Sequence, residues 1–528
     1  MAQRRKPNQT KSFEQNLWDT ANNLRGTVAS SDYMHIVLSL IFLKFVSEKF
    51  EQQRRALEQS GLGDFLENVD FYTKDNVFYL PPQGRWSTIA AQAKQDNIAL
   101  LIDGALTRIE KNNPSLRGAL PDNLFARSGL EVRNLASLID SISNIDTSNP
   151  EEDVVGRVYE YFLGNFAASQ GQRGGEFFTP KCVVNLIAEM IEPYQGKIYD
   201  PCCGSGGMFV QSVKFVESHH GNQLDISIYG QEAISTTYKL AKMNLAIRGI
   251  AANLGDLPGD TFFKDQHPDQ KFDFIMANPP FNLKDWRTAE ELTDDPRWAG
   301  YETPPTGNAN YAWILHMLAK LSENGVAGFV LANGSMSTHT KGEGEIRKKL
   351  IENDRVDCMI ALPGQLFYTT QIPVCLWFIT RNKKARTLSG SENNAPRQHR
   401  DRQGETLFID ARNLGQMIDR THKELTPDDI AHIAQTYHAW RSDPPANPQD
   451  GYQDQAGFCK AATLADIKAN DYVLTPGRYV GAAAVEDDGI PFEQKMAELT
   501  KTLYEQMAES ERLDGVIREN LKGLGYGE

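Results

Sequence analysis

Cysteine is scarce in this chain: six in 528 residues, two of them adjacent at Cys202 and Cys203, and no C-x-x-C pair. That speaks against a disulfide framework or a thiolate zinc site, and no metal is expected; reduced thiols of a cytoplasmic protein fit best. Long apolar runs are missing too. The greasiest stretch, Tyr33 to Phe50, is interrupted by His35, Lys44 and Glu48. What is left falls below the roughly 18 apolar residues a membrane span requires, so it reads as a buried helix and no membrane contact is expected. The basic N-terminus "MAQRRKPNQTKS" has no apolar segment behind it, and no secretory signal is expected there. Positive charge is in deficit as well: 55 Lys and Arg stand against 69 Asp and Glu, a formal net charge of −14. A protein that grips DNA unaided carries a basic surface, so any nucleic-acid contact here is local or shared with a partner.

What is present is an ordinary globular balance, 40% hydrophobic and 23% charged, at a length that calls for more than one core. Apolar residues recur at three- and four-residue steps through much of Ser12 to Phe166, as at Ile36, Leu40, Leu43, Val46 and Phe50. This predicts a helical region over residues 1–166. From Gly171 the rhythm changes. Short strand candidates ("KIYD", "ISIYGQE", "FDFIMANPPF", "GVAGFVLANGS", "VDCMIALPG") alternate with helical patterns. The class is α/β: a Rossmann-like parallel sheet within residues 167–485. "IPVCLWFIT" follows the last strand too closely for a helix crossover, which predicts an antiparallel strand at the sheet edge. Arg381 to Glu405 is polar and basic and reads as a solvated loop or a phosphate-contacting one. Residues 486–528 return to helix, with Phe492, Met496, Leu499, Leu503, Met507, Leu513, Ile517 and Leu521 on the pattern. That segment packs on its own domain or forms a seam for a partner's helix.

Three features stand at successive strand ends. "YDPCCGSGGMFV" runs strand, acid (Asp200), glycine loop (Gly204, Ser205, Gly206, Gly207), helix. Glycines let the backbone turn tightly and approach a ligand, and the helix behind aims free N–H groups at the same point. Glu232 follows the next strand candidate, where an acid in doubly wound folds accepts hydrogen bonds from ribose hydroxyls. Asp256 follows a third and is placed to hold an exocyclic amine of adenine. Each has a bland reading alone, as a tight turn, a solvated acid or a helix cap. In this order they describe a site for an adenosine-containing cofactor.

The fourth strand candidate runs straight into Asn278-Pro279-Pro280-Phe281. Proline has no N–H and cannot extend a central strand, so the strand stops near Ala277, and the residue before proline is held extended. The Asn278 side-chain oxygen and the Pro279 carbonyl are two acceptors, able to take both hydrogens of an –NH₂ group. Pro280 brings no competing N–H, and Phe281 offers a flat face for a ring. The set suits an aromatic amine better than a carbonyl.

"DPCCGSGG" followed by "NPPF" resembles the signature of N6-adenine DNA methyltransferases. In order and surroundings the chain is most similar to the modification (M) subunit of type I restriction–modification systems. "GEFFTP" (Gly175 to Pro180), "NANYAWILHML", "GEGEIRKKL" and "LPGQLFYTTQIPVCLWF" look like that family as well. The resemblance spans Phe13 to Phe408 and is sharpest from Gly175 to Phe281. It implies that S-adenosylmethionine contacts Glu176, Phe177, Phe178, Thr179, Pro180, Lys181, Asp200, the glycine loop, Glu232 and Asp256. It implies that Asn278, Pro279 and Phe281 grip a target adenine flipped out of double-stranded DNA. It further implies a helical N-terminal domain closing over DNA and a separate specificity (S) subunit that reads sequence. Two M subunits would then serve each S, with room for a restriction (R) subunit. Direct methyl transfer to adenine N6 is the expected reaction.

The rivals explain less. A cytosine-C5 mechanism has Pro201-Cys202 available, but that dipeptide lies inside the glycine loop. A nicotinamide oxidoreductase leaves N-P-P-F idle. An N-methyltransferase for RNA or protein glutamine uses a similar tetrapeptide and is the alternative; the large helical N-terminal region weighs against it. A cofactor-binding subunit without activity is at odds with an intact motif.

Overall fold

The structure is a computed structural model that describes residues 13–22, 30–75, 77–145, parts of 158–165, 179–340, 342–367, 372–388, 397–442, 451–482 and 492–524. Residues up to Gly481 form one compact unit, and Ala482–Glu528 a second.

The helical region contains α1 (Phe13–Asn22), α2 (Ser30–Gln59), α3 (Ile98–Asn112) and α4 (Val132–Ser143), with short helical turns between α2 and α3 and between α3 and α4. Ile36, Leu40, Leu43, Val46 and Phe50 of α2 are all buried in one core with faces of α3 and α4. The expected apolar stripe is therefore the packing face. His35 is buried beside it, while Lys44 reaches Glu48 one turn on. Among the described residues no helix is long and apolar enough to cross a membrane. Buried polar groups fix the connections: the Asp103 carboxylate accepts the N–H groups of Phe125 and Ala126 at 3.1 and 2.8 Å.

A nine-stranded sheet follows, with order β13-β10-β6-β7-β5-β4-β1-β2-β3. Its strands are β1 (Gly196–Asp200), β2 (Ile226–Gly230), β3 (Ala252–Asn253), β4 (Phe272–Ala277), β5 (Leu321–Ala332), β6 (Val356–Ala361), β7 (Val374–Thr380), β10 (Glu405–Asp410) and β13 (Cys459–Thr463). Two small ribbons, β8/β9 (Arg386–Leu388 and Arg397–His399) and β11/β12 (Gln416–Met417 and Lys423–Glu424), lie outside it. Strands β3, β2, β1, β4 and β5 are mutually parallel. Helices α5 (Lys181–Ile191), α6 (Gly207–Ser218), α7 (Ser235–Ile247) and α10 (Pro427–Arg441) cover one face of the sheet. The other is covered by α8 (Asn310–Lys320), α9 (Glu343–Glu352) and α11 (Leu464–Ala469). This is the α/β class that the alternation predicts. Leu240, Met243 and Ile247 of α7 belong to the helical region's core, so one helix serves both layers.

Two expectations are corrected. Strand β7 is antiparallel, but it is inserted between β5 and β6 instead of ending the sheet. Every one of its residues is buried, and two further strands continue the sheet beyond β6. Arg381 to Glu405 is not simply a solvated loop either. Within it, Arg386–Leu388 and Arg397–His399 pair as the β8/β9 ribbon, and Arg402 is only 2% exposed. The reason is a buried counter-charge. Asp357 on β6 meets Arg402 at 3.3 Å and accepts the Tyr437 hydroxyl at 2.6 Å. Burial alone would raise its carboxyl, yet the Arg402 and Lys383 charges and the Tyr437 hydrogen bond hold it below the usual range.

In the second unit, α12 (Phe492–Gly523) is one continuous helix, roughly 48 Å long at 1.5 Å per residue. Met496, Leu499, Leu503, Met507, Leu513, Ile517 and Leu521 are all exposed along it.

Removing one member of a buried ion pair strands the other, typically at about 3–5 kcal/mol. Asp357→Asn is therefore expected to lower unfolding stability by about that much, read as a shift of the urea midpoint. A shift under about 0.5 kcal/mol would mean that the β6–β10 end of the sheet does not depend on this charge.

Candidate functional site

The parallel register brings the carboxyl ends of β3, β2, β1 and β4 side by side, so the residues that follow them share one rim. Asp200 closes β1; its carboxylate is buried and accepts the Cys202 N–H at 2.9 Å. Burial raises the Asp200 carboxyl to about 7, with the nearby Glu232 charge adding to the effect. The glycine loop turns through left-handed φ angles at Gly204 (54°) and Gly206 (81°), which glycine adopts without strain. A Cβ on Gly206 would press on Leu245 at 3.4 Å, whereas one on Gly207 would meet only open space within 4 Å. The loop is pinned from behind by Asn244, whose Nδ2 donates to the Ser205 carbonyl at 2.7 Å.

Glu232 is bound into the same loop. It accepts the Gly204 N–H at 3.0 Å through one oxygen and the Ile234 N–H at 2.8 Å through the other. The side chain is buried, which raises its carboxyl; the N–H donors work in the other direction. Asp256 stands exposed after β3, with the Gly255 carbonyl beside it held by the Tyr238 hydroxyl at 2.8 Å. The two loop thiols are pushed well up by burial and by the Asp200 and Glu232 charges. That is the opposite of a thiolate nucleophile, in keeping with the weak standing of Pro201-Cys202.

Strand β4 ends at Ala277, and Asn278 starts the exit. Its amide is asymmetric in its bonding. Nδ2 donates to the Thr179 hydroxyl at 3.0 Å, while Oδ1 is buried with no hydrogen-bond donor among the described residues. A buried acceptor left unpaired costs about 1–3 kcal/mol, and such groups in a rim of this kind mark a place where a donor is expected to arrive. Pro279 is buried and Pro280 half-buried. Phe281 is half-buried and stands edge-on to Phe367 at 5.8 Å. Beyond it, Asn282 takes a left-handed φ of 51°. There its Oδ1 accepts the amides of Asn310 at 2.9 Å and Asn308 at 3.3 Å, and its N–H donates to Asn310 Oδ1 at 3.1 Å. Three asparagines thus clamp the chain as it leaves the tetrapeptide.

Of the residues singled out from sequence, Asp200, Gly204, Ser205, Gly206, Gly207, Glu232, Asp256 and Asn278 to Phe281 come from this one rim. Thr179 and Pro180 lead into α5, with Thr179 touching Asn278 rather than standing apart from it. Lys181 is exposed on the first turn. Glu176, Phe177 and Phe178 lie outside the described residues. Missed from sequence were Asn308 and Asn310, visible only as "NAN", and Gln231. Gln231 is fully buried; its amide donates to the Gly259 and Lys264 carbonyls at 3.0 and 2.6 Å and accepts the Gln266 N–H at 3.0 Å. That ties the chain after β2 to the segment leading into β4.

Comparison with known proteins places these features in a family. A profile described as N-6 DNA Methylase matches residues 150–488, and one described as HsdM N-terminal domain matches residues 13–142. The type I restriction enzyme HindI methylase subunit of Haemophilus influenzae is 52% identical, over 82% of this chain and 94% of its own. The MjaIX methylase subunit of Methanocaldococcus jannaschii is 38% identical, over 98% of this chain and 92% of its own. Among solved structures, the type I restriction-modification system methyltransferase subunit from Streptococcus thermophilus superposes with a TM-score of 0.72 at 24% identity, over 89% of this chain and 99% of its own.

The Asp200 carboxyl gives a test of this rim's burial. Its pKa of about 7 compares with about 3.9 unfolded. The folded chain keeps a proton that the unfolded chain has lost, so this contribution is largest below pH 4, falls as pH rises to about 7, and is flat above. Between pH 6 and pH 8 the wild-type chain should lose about 1 kcal/mol more stability than Asp200→Asn, read from urea midpoints. Equal losses would make Asp200 an ordinary solvated acid.

Proposed function

This chain belongs to the N-6 DNA methylase family, among the methylase subunits of type I restriction enzymes, and from that premise we propose how its rim performs adenine-specific DNA methylation. The substrate amine is N6 of a flipped-out adenine, because a base inside a duplex is out of reach. Asn278 Oδ1 and the Pro279 carbonyl accept its two hydrogens. They localise the nitrogen lone pair and stabilise the positive charge that develops as the amine becomes tetrahedral, the logic of a preorganised polar site. Phe281 takes over the stacking lost on flipping. The observation that carries this reading is the buried, donorless Oδ1 of Asn278.

We propose S-adenosylmethionine as the cofactor. The residues fit it: two left-handed glycines bring the backbone close, the Cβ direction at Gly207 is open, and acids follow β1, β2 and β3 for the polar groups of an adenosine. When bound it supplies an electrophilic sulfonium methyl group. Asp200, Ser205 to Gly207, Glu232 and Asp256 would hold it, with Glu176 to Phe178, Pro180 and Lys181 covering its methionine end. Glu232 already spans the loop through Gly204 and Ile234, so it shapes the cradle as well as facing a ribose.

Double-stranded DNA and a specificity subunit are the partners of this reading, at two M subunits per S, with a restriction subunit joining them in the cytoplasm. An acidic chain that leaves sequence reading to a partner is consistent with the −14 charge. The exposed apolar row on α12 fits a seam for a partner's helix rather than a helix finished by its own unit.

With the specificity subunit, labelled cofactor and unmodified genomic DNA, Asn278→Ala should reduce methyl transfer by at least 100-fold and leave cofactor affinity within about twofold. Glu232→Ala should do the reverse, weakening cofactor binding in equilibrium dialysis. Full transfer by the Asn278 variant would refute the assignment.

A further inference from the structure

The resemblance to known methylases assigns Thr179 to the cofactor. Its bonding points elsewhere. Thr179 and Asn278 are 99 residues apart in sequence, yet the Asn278 Nδ2 donates to Thr179 Oγ1 at 3.0 Å. The other end of the same amide, Oδ1, is buried and unpaired. Thr179 is half-buried, and its neighbour Pro180 is buried and caps α5, accepting the Val183 and Val184 N–H groups at 3.0 and 3.1 Å. The hydroxyl therefore sits one residue before the N-cap of α5.

We infer that Thr179 is a positioning residue for methyl transfer, acting through Asn278. This rests on Asn278 being the acceptor for the adenine amine. An asparagine amide can present either oxygen or nitrogen along one direction. Only the oxygen can accept from an amine, so in the productive orientation Nδ2 points the other way and needs an acceptor of its own. Thr179 Oγ1 is that acceptor. Because a hydroxyl accepts as readily as it donates, it satisfies Nδ2 without competing for Oδ1. A donated Nδ2 hydrogen bond also polarises the amide and leaves Oδ1 the stronger acceptor. Without the hydroxyl, the productive orientation leaves a part-buried N–H₂ group unpaired, a penalty on the order of 10- to 100-fold in an equilibrium or rate. The same bond makes the start of α5 a partner of the base-binding end of β4, so the segment leading into α5 bears on the adenine side of the site as well as on the cofactor side.

The test uses the assembled M and S subunits, S-adenosylmethionine and unmodified genomic DNA. Thr179→Val keeps the shape and removes the acceptor; Thr179→Ser keeps the acceptor. Thr179→Val should lower kcat roughly 10- to 100-fold, with the S-adenosylmethionine Kd from equilibrium dialysis and the thermal midpoint close to wild type. Thr179→Ser should restore most of the rate. A raised Kd with an unchanged kcat at saturation would make Thr179 a cofactor contact and overturn the inference. A loss of rate that Thr179→Ser does not restore, or one that tracks a fall in thermal midpoint, would make it a packing residue and overturn it too. Full activity in Thr179→Val while Asn278→Ala is inactive removes this inference alone; full activity in both removes the reading beneath it.

Discussion

The Asn278 amide is bonded at its nitrogen and bare at its oxygen, and much of the rim is arranged so that this imbalance persists. A flexible side chain would turn to find a donor. Asn278 is prevented from doing so at three points. Pro279 restricts its backbone to an extended conformation. Thr179 occupies its nitrogen. Downstream, Asn282, Asn308 and Asn310 fasten the exit of the tetrapeptide to the start of α8. An unpaired buried acceptor is a standing cost to the fold, and its retention is what the proposed chemistry requires.

The opposite side of the rim solves a different problem, how to bring charge and backbone N–H groups together without water. Glu232 accepts N–H groups from the glycine loop and from the start of α7, so one carboxylate sets the spacing between two strand ends. Asn244 and Gln231 do related work with neutral amides. Because α7 also packs into the helical region's core, the loop and the N-terminal helices share a support. A displacement of that helical layer would therefore be felt at the glycine loop.

Much of this was legible in the sequence, and the limits have physical causes. The α/β alternation, the end of β4 at Ala277 and the apolar stripe of α2 are written in local periodicity and in proline, and each was found in place. The position of β7 was not legible. Its antiparallel direction follows from a short connection, but its place between β5 and β6 is decided by which neighbours bury both its faces. The basic segment after Arg381 reads as solvated because its counter-charge, Asp357, lies tens of residues earlier in the chain. The Thr179 bond to Asn278 and the asparagine clamp are likewise long-range pairings. Local pattern proposes candidate residues at strand ends; it does not show which of them touch, nor supporting groups such as Gln231, Asn308 and Asn310.

The same rim bears on why the acceptor at position 278 is an amide. A carboxylate would be the stronger acceptor in water. Here, however, burial and a neighbouring acid carry the Asp200 carboxyl to about 7, and Glu232 is raised as well. A further acid at the end of β4 would join two carboxylates already reluctant to ionise, and burial would push it the same way. Protonated, it would present a hydroxyl donor to an amine that itself donates, the wrong polarity for the proposed step. An amide oxygen keeps its acceptor character at every pH, and the carbonyl of Pro279 does the same. Neutral acceptors thus suit a rim whose two buried acids are raised, and the proposed chemistry then depends on orientation more than on charge, where the Thr179 bond and the two prolines bear on Asn278.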